Sequence, residues 1–166
     1  TNSDYEAKGL PMIRKIIGFS GYTEGWALYS EQLAVEMGIY KTDPRGHIGM
    51  LHDALFRAVR LVVDTGMHYK KWSREQAVKY MAETMGDEES GSITEIERYV
   101  VWPGQACSYM IGKIVWLRAR AKAQKALGKK FDIREFHKAV LEDGSLPLSV
   151  LEAKIDRWIS AQKPAA

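Results

Sequence analysis

The sequence has 166 residues, 46% of them hydrophobic and 27% charged, which is enough for one buried core and too little for two comfortable domains. A net charge of +3 is too small to indicate a nucleic-acid partner, and the single Cys107 excludes an internal disulfide or a multi-cysteine metal cluster. No apolar run approaches the ~18 residues that span a bilayer.

Helical periodicity dominates the chain, and glycine, proline and aspartate separate the periodic segments. The pattern predicts an all-α protein of about seven helices without strands, forming a single helical domain over residues 1–166. The predicted helices cover, in chain order, residues 23–37, 48–69, 73–86, 93–102, 103–128, 131–144 and 147–162. Residues 87–92 are predicted to form a loop and residues 163–166 a frayed end.

Several helix boundaries can be predicted from capping residues. Thr23 is a candidate N-cap, and Ser73 with Gln76 fits a capping box. Pro103 suits the first position of a helix. Gly66 predicts an interruption or strain in the second helix.

Two glutamates of the first helix, Glu24 and Glu31, lie seven residues apart, two turns along a helix with apolar residues on both long faces. A carboxylate in a partly enclosed site needs a partner, because an unpaired buried charge costs several kcal/mol. A metal ion, an arginine or a histidine would satisfy it. The pattern leaves open a structural ion pair or a metal-binding or catalytic role.

A charged stripe runs along the second helix, at spacings that align on one face: Asp53, Arg57, Arg60, Asp64 and His68. It fits a solvent-exposed face with i,i+4 pairs, Asp53 with Arg57 and Arg60 with Asp64. It also fits a polar cleft in which an arginine binds a substrate carboxylate and His68 assists a proton transfer.

The segment RYVVWPGQACSY contains a third candidate group. With a helix starting at Pro103, Gln105, Tyr109, Gly112 and Trp116 share one face, and Gly112 permits close backbone approach. The Tyr109 hydroxyl could donate a hydrogen bond to an oxyanion, or it could bond a neighbouring helix in the core.

The sequence contains no complete metal site and no activated nucleophile. No pair of its four histidines has the spacing that places two imidazoles on one helix face: His47, His52, His68 and His137. There is no Gly-x-Ser-x-Gly elbow and no phosphate-binding glycine loop.

Five segments, in this order, resemble the C-terminal part of the bacterial domain-of-unknown-function family 885. They are GYTEGWALYSEQLAVEMGIY, LFRAVRLVVDTGMH, WSREQAV, EIERYVVWPGQACSYMIG and LRARAKAQKALGKKFDIREFHKAVLEDGSLPLSVLEAKIDRW. Members of this family look like gluzincin metallopeptidases, similar in plan to carboxypeptidase Taq and thimet oligopeptidase. The resemblance implies that Glu24, in the Glu-Gly-Trp-Ala motif, is the third ligand of a catalytic zinc ion.

The resemblance also implies that the chain is the C-terminal half of a larger helical fold. The two zinc-binding histidines and the general base would lie in an upstream segment, which this sequence does not contain. The chain alone is then expected to be inactive and not to bind zinc tightly, whereas the full-length protein would hold zinc. The resemblance implies a bacterial parent protein, which could be exported to the periplasm or carry a lipid anchor.

Within that picture, Glu31 would orient a zinc-binding histidine or hold an arginine, and Tyr109 with His68 would stabilise the tetrahedral intermediate. Four residues would hold the substrate peptide or its terminal carboxylate: Arg60, Arg98, Tyr99 and Gln105.

Other functions remain compatible with the sequence. The chain could be a non-catalytic helical module for interaction or structure. Apolar surface left by an absent half would favour self-association or binding of that half. The basic stretch at 118–130 could form a nucleic-acid face, although the scattered charge argues against a nucleic-acid partner.

Overall fold

The computed structural model of the chain describes Gly9 and residues 11–162, and all regular structure within this part is helical. In this described part of the chain, eight α-helices and one short 3₁₀ turn follow one another, which confirms the prediction of an all-α fold with about seven helices. The helices are α1 (Met12–Ile16), α2 (Ser20–Glu36), α3 (Pro44–His68), α4 (Arg74–Met85), α5 (Glu89–Val101), α6 (Ser108–Leu127), α7 (Ile133–Leu141) and α8 (Leu148–Gln162). The 3₁₀ turn, Gly128–Lys130, follows α6.

The chain divides into two compact units, with boundaries inside α2 and α6. The first unit contains the described residues up to Trp26 and those from Gly112 onward, and the second contains Ala27–Ile111.

The second unit is built around α3, α4 and α5. Apolar residues at helical spacing turn inward from each of them, including Val63 on α3, Met81 on α4 and Ile96 on α5, all buried in one core cluster. Burying such a side chain fully contributes about 1.5–3 kcal/mol relative to leaving it exposed. The core therefore fixes which faces of α3 and α5 meet, and with them the polar side chains described below.

Capping explains where α3 and α4 begin. The Asp43 side chain accepts a hydrogen bond from the Gly46 amide at 2.9 Å, with proline at the first turn of α3. Ser73 and Gln76 form the predicted capping box at the start of α4. Gly86 then ends α4 in a left-handed conformation, with φ of 71°.

The first unit has an aromatic centre. The Trp116 ring is fully buried, and the ring centroids of Tyr22 and Trp26 each lie 5.1 Å from its centroid. The close approach predicted at Gly112 is present. A Cβ atom there would collide with the carbonyl oxygen of Gly21 and lie 2.5 Å from Cα of Gly25. Only glycine at positions 25 and 112 lets the α2 and α6 backbones come so near.

Several predicted boundaries are wrong. Thr23 is not an N-cap, because α2 begins at Ser20 and Thr23 lies in its first turns. The helix α3 starts at Pro44 and passes Gly66 without a break. A Cβ atom at Gly66 would lie 2.6 Å from the Trp72 ring, so this glycine makes room for an indole rather than straining the helix.

The region around Pro103 also differs from its prediction. The helix α5 ends at Val101, and α6 begins only at Ser108, so Pro103 and Gln105 lie in a turn rather than in the first turn of a helix. Gly104, with φ of 78°, reverses the chain there. Residues 87–92 are only partly a loop, since α5 starts at Glu89, and the predicted frayed end 163–166 lies outside the described residues.

Within the described ranges, no helix combines the length and the apolar character needed to cross a membrane.

Candidate functional site

The charged stripe of α3 is only partly a solvent-exposed face. The predicted pair of Asp53 and Arg57 is present, with Arg57 Nη1 2.9 Å from Asp53 Oδ1. Arg60 and Asp64, however, are only 6% and 3% exposed, and each bonds a residue outside α3: Arg60 bonds Glu95 on α5, and Asp64 bonds the Gly104 amide. The predicted pair between these two residues is therefore replaced by tertiary contacts.

Glu95 on α5 is the centre of the resulting network. Its Oε2 atom accepts hydrogen bonds from Arg60 Nη2 at 2.8 Å, Arg98 Nη2 at 2.8 Å and the Tyr99 hydroxyl at 2.7 Å. Nε of Arg60 also donates to the Tyr99 hydroxyl at 2.9 Å. One carboxylate thus holds two guanidinium groups and a phenol in a fixed arrangement.

The protonation states follow from these contacts. Burial alone would raise the pKa of Glu95, but the hydrogen bonds from Arg98, Tyr99 and Arg60 outweigh burial and lower this pKa to about 2. Burial and the bond to Glu95 raise the pKa of Tyr99. Glu95 is therefore a carboxylate and Tyr99 a neutral phenol over the physiological range.

Tyr109 lies against the same arginines. Cζ of Arg60 is 5.0 Å from the centre of the Tyr109 ring, and Cζ of Arg57 is 5.5 Å from it, both within cation–π range. Nη1 of Arg98 donates to Oε1 of Gln105 at 2.9 Å. We call the whole group the arginine–tyrosine cluster; it consists of Arg57, Arg60, Glu95, Arg98, Tyr99, Gln105 and Tyr109.

Asp64, one turn further along α3, fixes His68 and the turn before α6. Its carboxylate accepts the Gly104 amide at 3.0 and 3.2 Å and lies 3.2 Å from Nδ1 of His68. Nδ1 also lies 2.9 Å from the Asp64 carbonyl oxygen. Because both neighbours of Nδ1 are acceptors, we assign the proton to Nδ1, which makes Nε2 the basic nitrogen of neutral His68.

Cys107 is not an activated nucleophile. Burial raises the pKa of its thiol to about 11, and the nearby Asp64 carboxylate acts in the same direction. A thiol with this pKa carries very little thiolate at neutral pH.

The structure brings together the four predicted substrate-binding residues and places Tyr109 beside them. Sequence reasoning missed Glu95, on which the cluster depends. The spacing of Glu95, Arg98 and Tyr99, at i, i+3 and i+4, is the signal that could have identified it. Gln105 does not share the predicted helix face with Tyr109. It joins the cluster from the turn before α6 instead.

The two glutamates of α2 lie in different units. Glu24, in the first unit, is partly buried beside Gly25, and Glu31, in the second, is also partly buried. Among the described residues, no three histidine, cysteine, aspartate or glutamate side chains gather in a group that could hold a metal ion. These residues do not fit a complete zinc site, and Glu24 can contribute at most one ligand to it.

Comparison with known proteins gives a family and two similar structures. The model of the family described as "Bacterial protein of unknown function (DUF885)" matches residues 3–155. The crystal structure of a "putative lipoprotein" from Colwellia psychrerythraea is 50% identical, covers 96% of this chain and superimposes with a TM-score of 0.91. A "putative lipoprotein of unknown function" from Shewanella oneidensis is 23% identical over 92% of this chain, with a TM-score of 0.82, and shares the fold.

Both of these proteins are much longer than this chain, which spans 27% of the first and 28% of the second. No curated protein matches the sequence.

Proposed function

The chain belongs to DUF885, a bacterial family of unknown function, and we propose that it supplies the substrate-binding groups and one zinc ligand of a zinc-dependent peptidase. The observation that carries this proposal is the arginine–tyrosine cluster. Five residues selected from the sequence as substrate-binding or oxyanion-stabilising groups meet there, from three helices and one turn of the second unit: Arg60, Arg98, Tyr99, Gln105 and Tyr109.

The cluster suits the chemistry of peptide hydrolysis. Attack on a peptide carbonyl creates an oxyanion, which fixed hydrogen-bond donors and positive charges stabilise more strongly than the neutral carbonyl. Tyr109 is partly buried, and its hydroxyl receives no hydrogen bond from any residue in the described part of the chain. Its ring packs against the guanidinium groups of Arg57 and Arg60, which would hold the hydroxyl in position as a donor.

The two arginines bound to Glu95 have different roles in this proposal. The Arg60 guanidinium is buried and donates to Tyr99 and Glu95, so it holds Tyr109 rather than meeting substrate directly. The Arg98 side chain is 31% exposed and is the better candidate for a substrate carboxylate, together with Gln105. His68, in the same unit, would assist a proton transfer.

Glu24 would contribute a carboxylate oxygen to zinc, with the other ligands provided outside this sequence. Zinc, when bound, would supply an activated water molecule. The resemblance of the segment around Glu24 to the zinc-binding Glu-Gly-Trp-Ala motif supports this assignment, and Glu31 would orient a ligand from the next turns of α2.

The experiment is done on the full-length parent protein. We expect Glu24→Gln to lower the zinc content per molecule and to abolish hydrolysis of a peptide mixture, because one of three protein ligands is lost. Glu36→Gln, on the exposed end of the same helix, is the matched control and should leave both unchanged. Zinc content and hydrolysis that match wild type in Glu24→Gln would refute the ligand assignment.

A non-catalytic interaction module is the second candidate, and exposed apolar residues favour it. Ile48, Leu51, Leu55 and Val62 are exposed and align on one face of α3. They would bind a further part of the parent protein or a second copy of this chain. A parent protein without zinc or peptidase activity, in which Leu51→Lys weakens association, would favour this function over the first.

We also propose that the parent protein is exported and lipid-anchored. The support is the description of both similar structures as lipoproteins. Incorporation of a labelled fatty acid into the parent protein tests it, and its absence would contradict it.

A further inference from the structure

The second unit contains a cavity of about 230 Å³ among α3, α4 and α5. Phe56 from α3 and Met81 and Met85 from α4 form its apolar wall, and Ser92 and Glu95 approach it from α5. A protein cavity of about 150 Å³ binds benzene. This cavity can therefore hold a phenyl-sized group with a short chain.

Ser92 is a polar residue of the cavity wall. The residue is only 5% exposed, and no described residue makes a hydrogen bond with its hydroxyl. The hydroxyl is therefore available to bond a polar group of a ligand in the cavity.

The charge of the lining is acidic. Glu95 and Asp87 line the cavity, and no lysine or arginine does. The charge of Glu95 is compensated by Arg60 and Arg98. Within the described part of the chain, the ion-pair contact of Asp87 is with His52, whose Nε2 lies 3.4 Å from Oδ2. The uncompensated negative charge at the cavity is thus that of Asp87.

We propose that this cavity binds an apolar group that carries a primary ammonium. The apolar part would pack on Phe56, Met81 and Met85, whose polarisable surfaces also suit a nearby cation. The ammonium would donate hydrogen bonds to the Asp87 carboxylate and the Ser92 hydroxyl. Peptide N-termini with an apolar first residue and small arylalkyl amines have this chemistry. The proposal goes beyond the proposed function, since it requires neither zinc nor hydrolysis.

The structure provides a matched pair of variants for the test. Gly91 lines the cavity, and a Cβ atom there meets no atom within 4 Å, so Gly91→Leu adds a bulky side chain to the lining at a position where its Cβ atom has space. Gly49, on α3, is also exposed and open, and it does not line the cavity. Gly49→Leu therefore controls for the general effect of leucine on an exposed helix.

The probe is 2-phenylethylamine, titrated into full-length protein labelled with ¹³C at the methionine methyl groups. The Met81 and Met85 signals are assigned from Met→Leu variants at each position. We expect both signals to shift on titration in wild type and Gly49→Leu, and neither to shift in Gly91→Leu. No shift in wild type, or shifts that persist in Gly91→Leu, would overturn the proposal.

Charge selectivity is tested with two further probes, 2-phenylethanol and 3-phenylpropionate. We expect weaker binding of the alcohol than of the amine and no binding of the carboxylate. Asp87→Asn should weaken amine binding about threefold to fivefold, as for a partly exposed ion pair. Equal affinities for the amine and the carboxylate would show that the cavity does not select an ammonium.

Discussion

Oε2 of Glu95 lies 2.8 Å from Nη2 of Arg60, although 35 residues separate them in the sequence. The same oxygen accepts the Tyr99 hydroxyl, and Arg60 in turn faces the ring of Tyr109. Glu95 therefore determines where the Arg60 cation lies, and Arg60 determines how Tyr109 is held. Because this chain of contacts joins α3, α5 and α6, its parts should respond together to substitution.

Glu95→Gln should lower the free energy of unfolding by about 2–4 kcal/mol, because it leaves the buried Arg60 guanidinium without its carboxylate. Chemical denaturation measures this change. The matched control is Glu97→Gln on the same helix, where an exposed glutamate pairs with Arg74. We expect this control to lower the free energy of unfolding by only about 0.5 kcal/mol. Equal losses in the two variants would show that the network does not stabilise the fold.

The low pKa of Glu95 predicts an acid-sensitive contribution to stability. Its pKa is about 2 in the folded chain and 4.5 for an unperturbed glutamate, so the unfolded chain takes up the proton first as pH falls. The stabilisation is complete above about pH 4.5 and is lost as pH falls towards 2. Unfolding measured across this range should show the difference between wild type and Glu95→Gln shrinking with acid. A difference that stays constant would contradict the assignment.

Local patterns in the sequence correctly predicted contacts between residues that are close together along one helix. The ion pair of Asp53 and Arg57 and the capping box of Ser73 are of this kind. The prediction that Arg60 pairs with Asp64 failed because both side chains are buried. A buried charge pairs with a residue that helix packing places next to it. That residue lies outside the helix that carries the charge, so the i,i+4 spacing along one helix does not predict it.

The same reason explains the error at Pro103. Proline suits a helix start, but the Asp64 carboxylate accepts the Gly104 amide and holds these residues in a turn. Residue chemistry together with the family resemblance did indicate Arg60, Arg98, Tyr99 and Gln105 as substrate-binding residues and Tyr109 as an oxyanion donor. Their arrangement around Glu95 required the three-dimensional contacts.

Gly112→Ala should lower the free energy of unfolding by about 3 kcal/mol. The added methyl group would collide with the Gly21 carbonyl oxygen and the Gly25 backbone, neither of which can yield as a flexible side chain does. Gly91→Ala is the control, because that helical glycine is open and alanine favours helix by about 1 kcal/mol. Thermal unfolding distinguishes the two variants: relative to wild type, Gly112→Ala should melt at a lower temperature and Gly91→Ala at an equal or higher one. Similar stability of both variants would rule out the close approach of backbones.

Tyr109→Phe tests the catalytic part of the proposed function in the full-length protein. Removing the hydroxyl should lower kcat for peptide hydrolysis about 10²–10³-fold, as for the loss of one oxyanion donor, with KM changed little. Stability should be unaffected, because the hydroxyl has no partner among the described residues and the ring keeps its contacts with Arg57 and Arg60.

The control is Tyr69→Phe, which removes the hydroxyl of an exposed tyrosine just after α3. A loss of kcat confined to Tyr109→Phe, with zinc content unchanged, would assign the hydroxyl to the transition state rather than to metal binding. An active Tyr109→Phe enzyme would leave Tyr109 as a packing residue beneath the arginines. The oxyanion would then have to be stabilised by groups outside the arginine–tyrosine cluster.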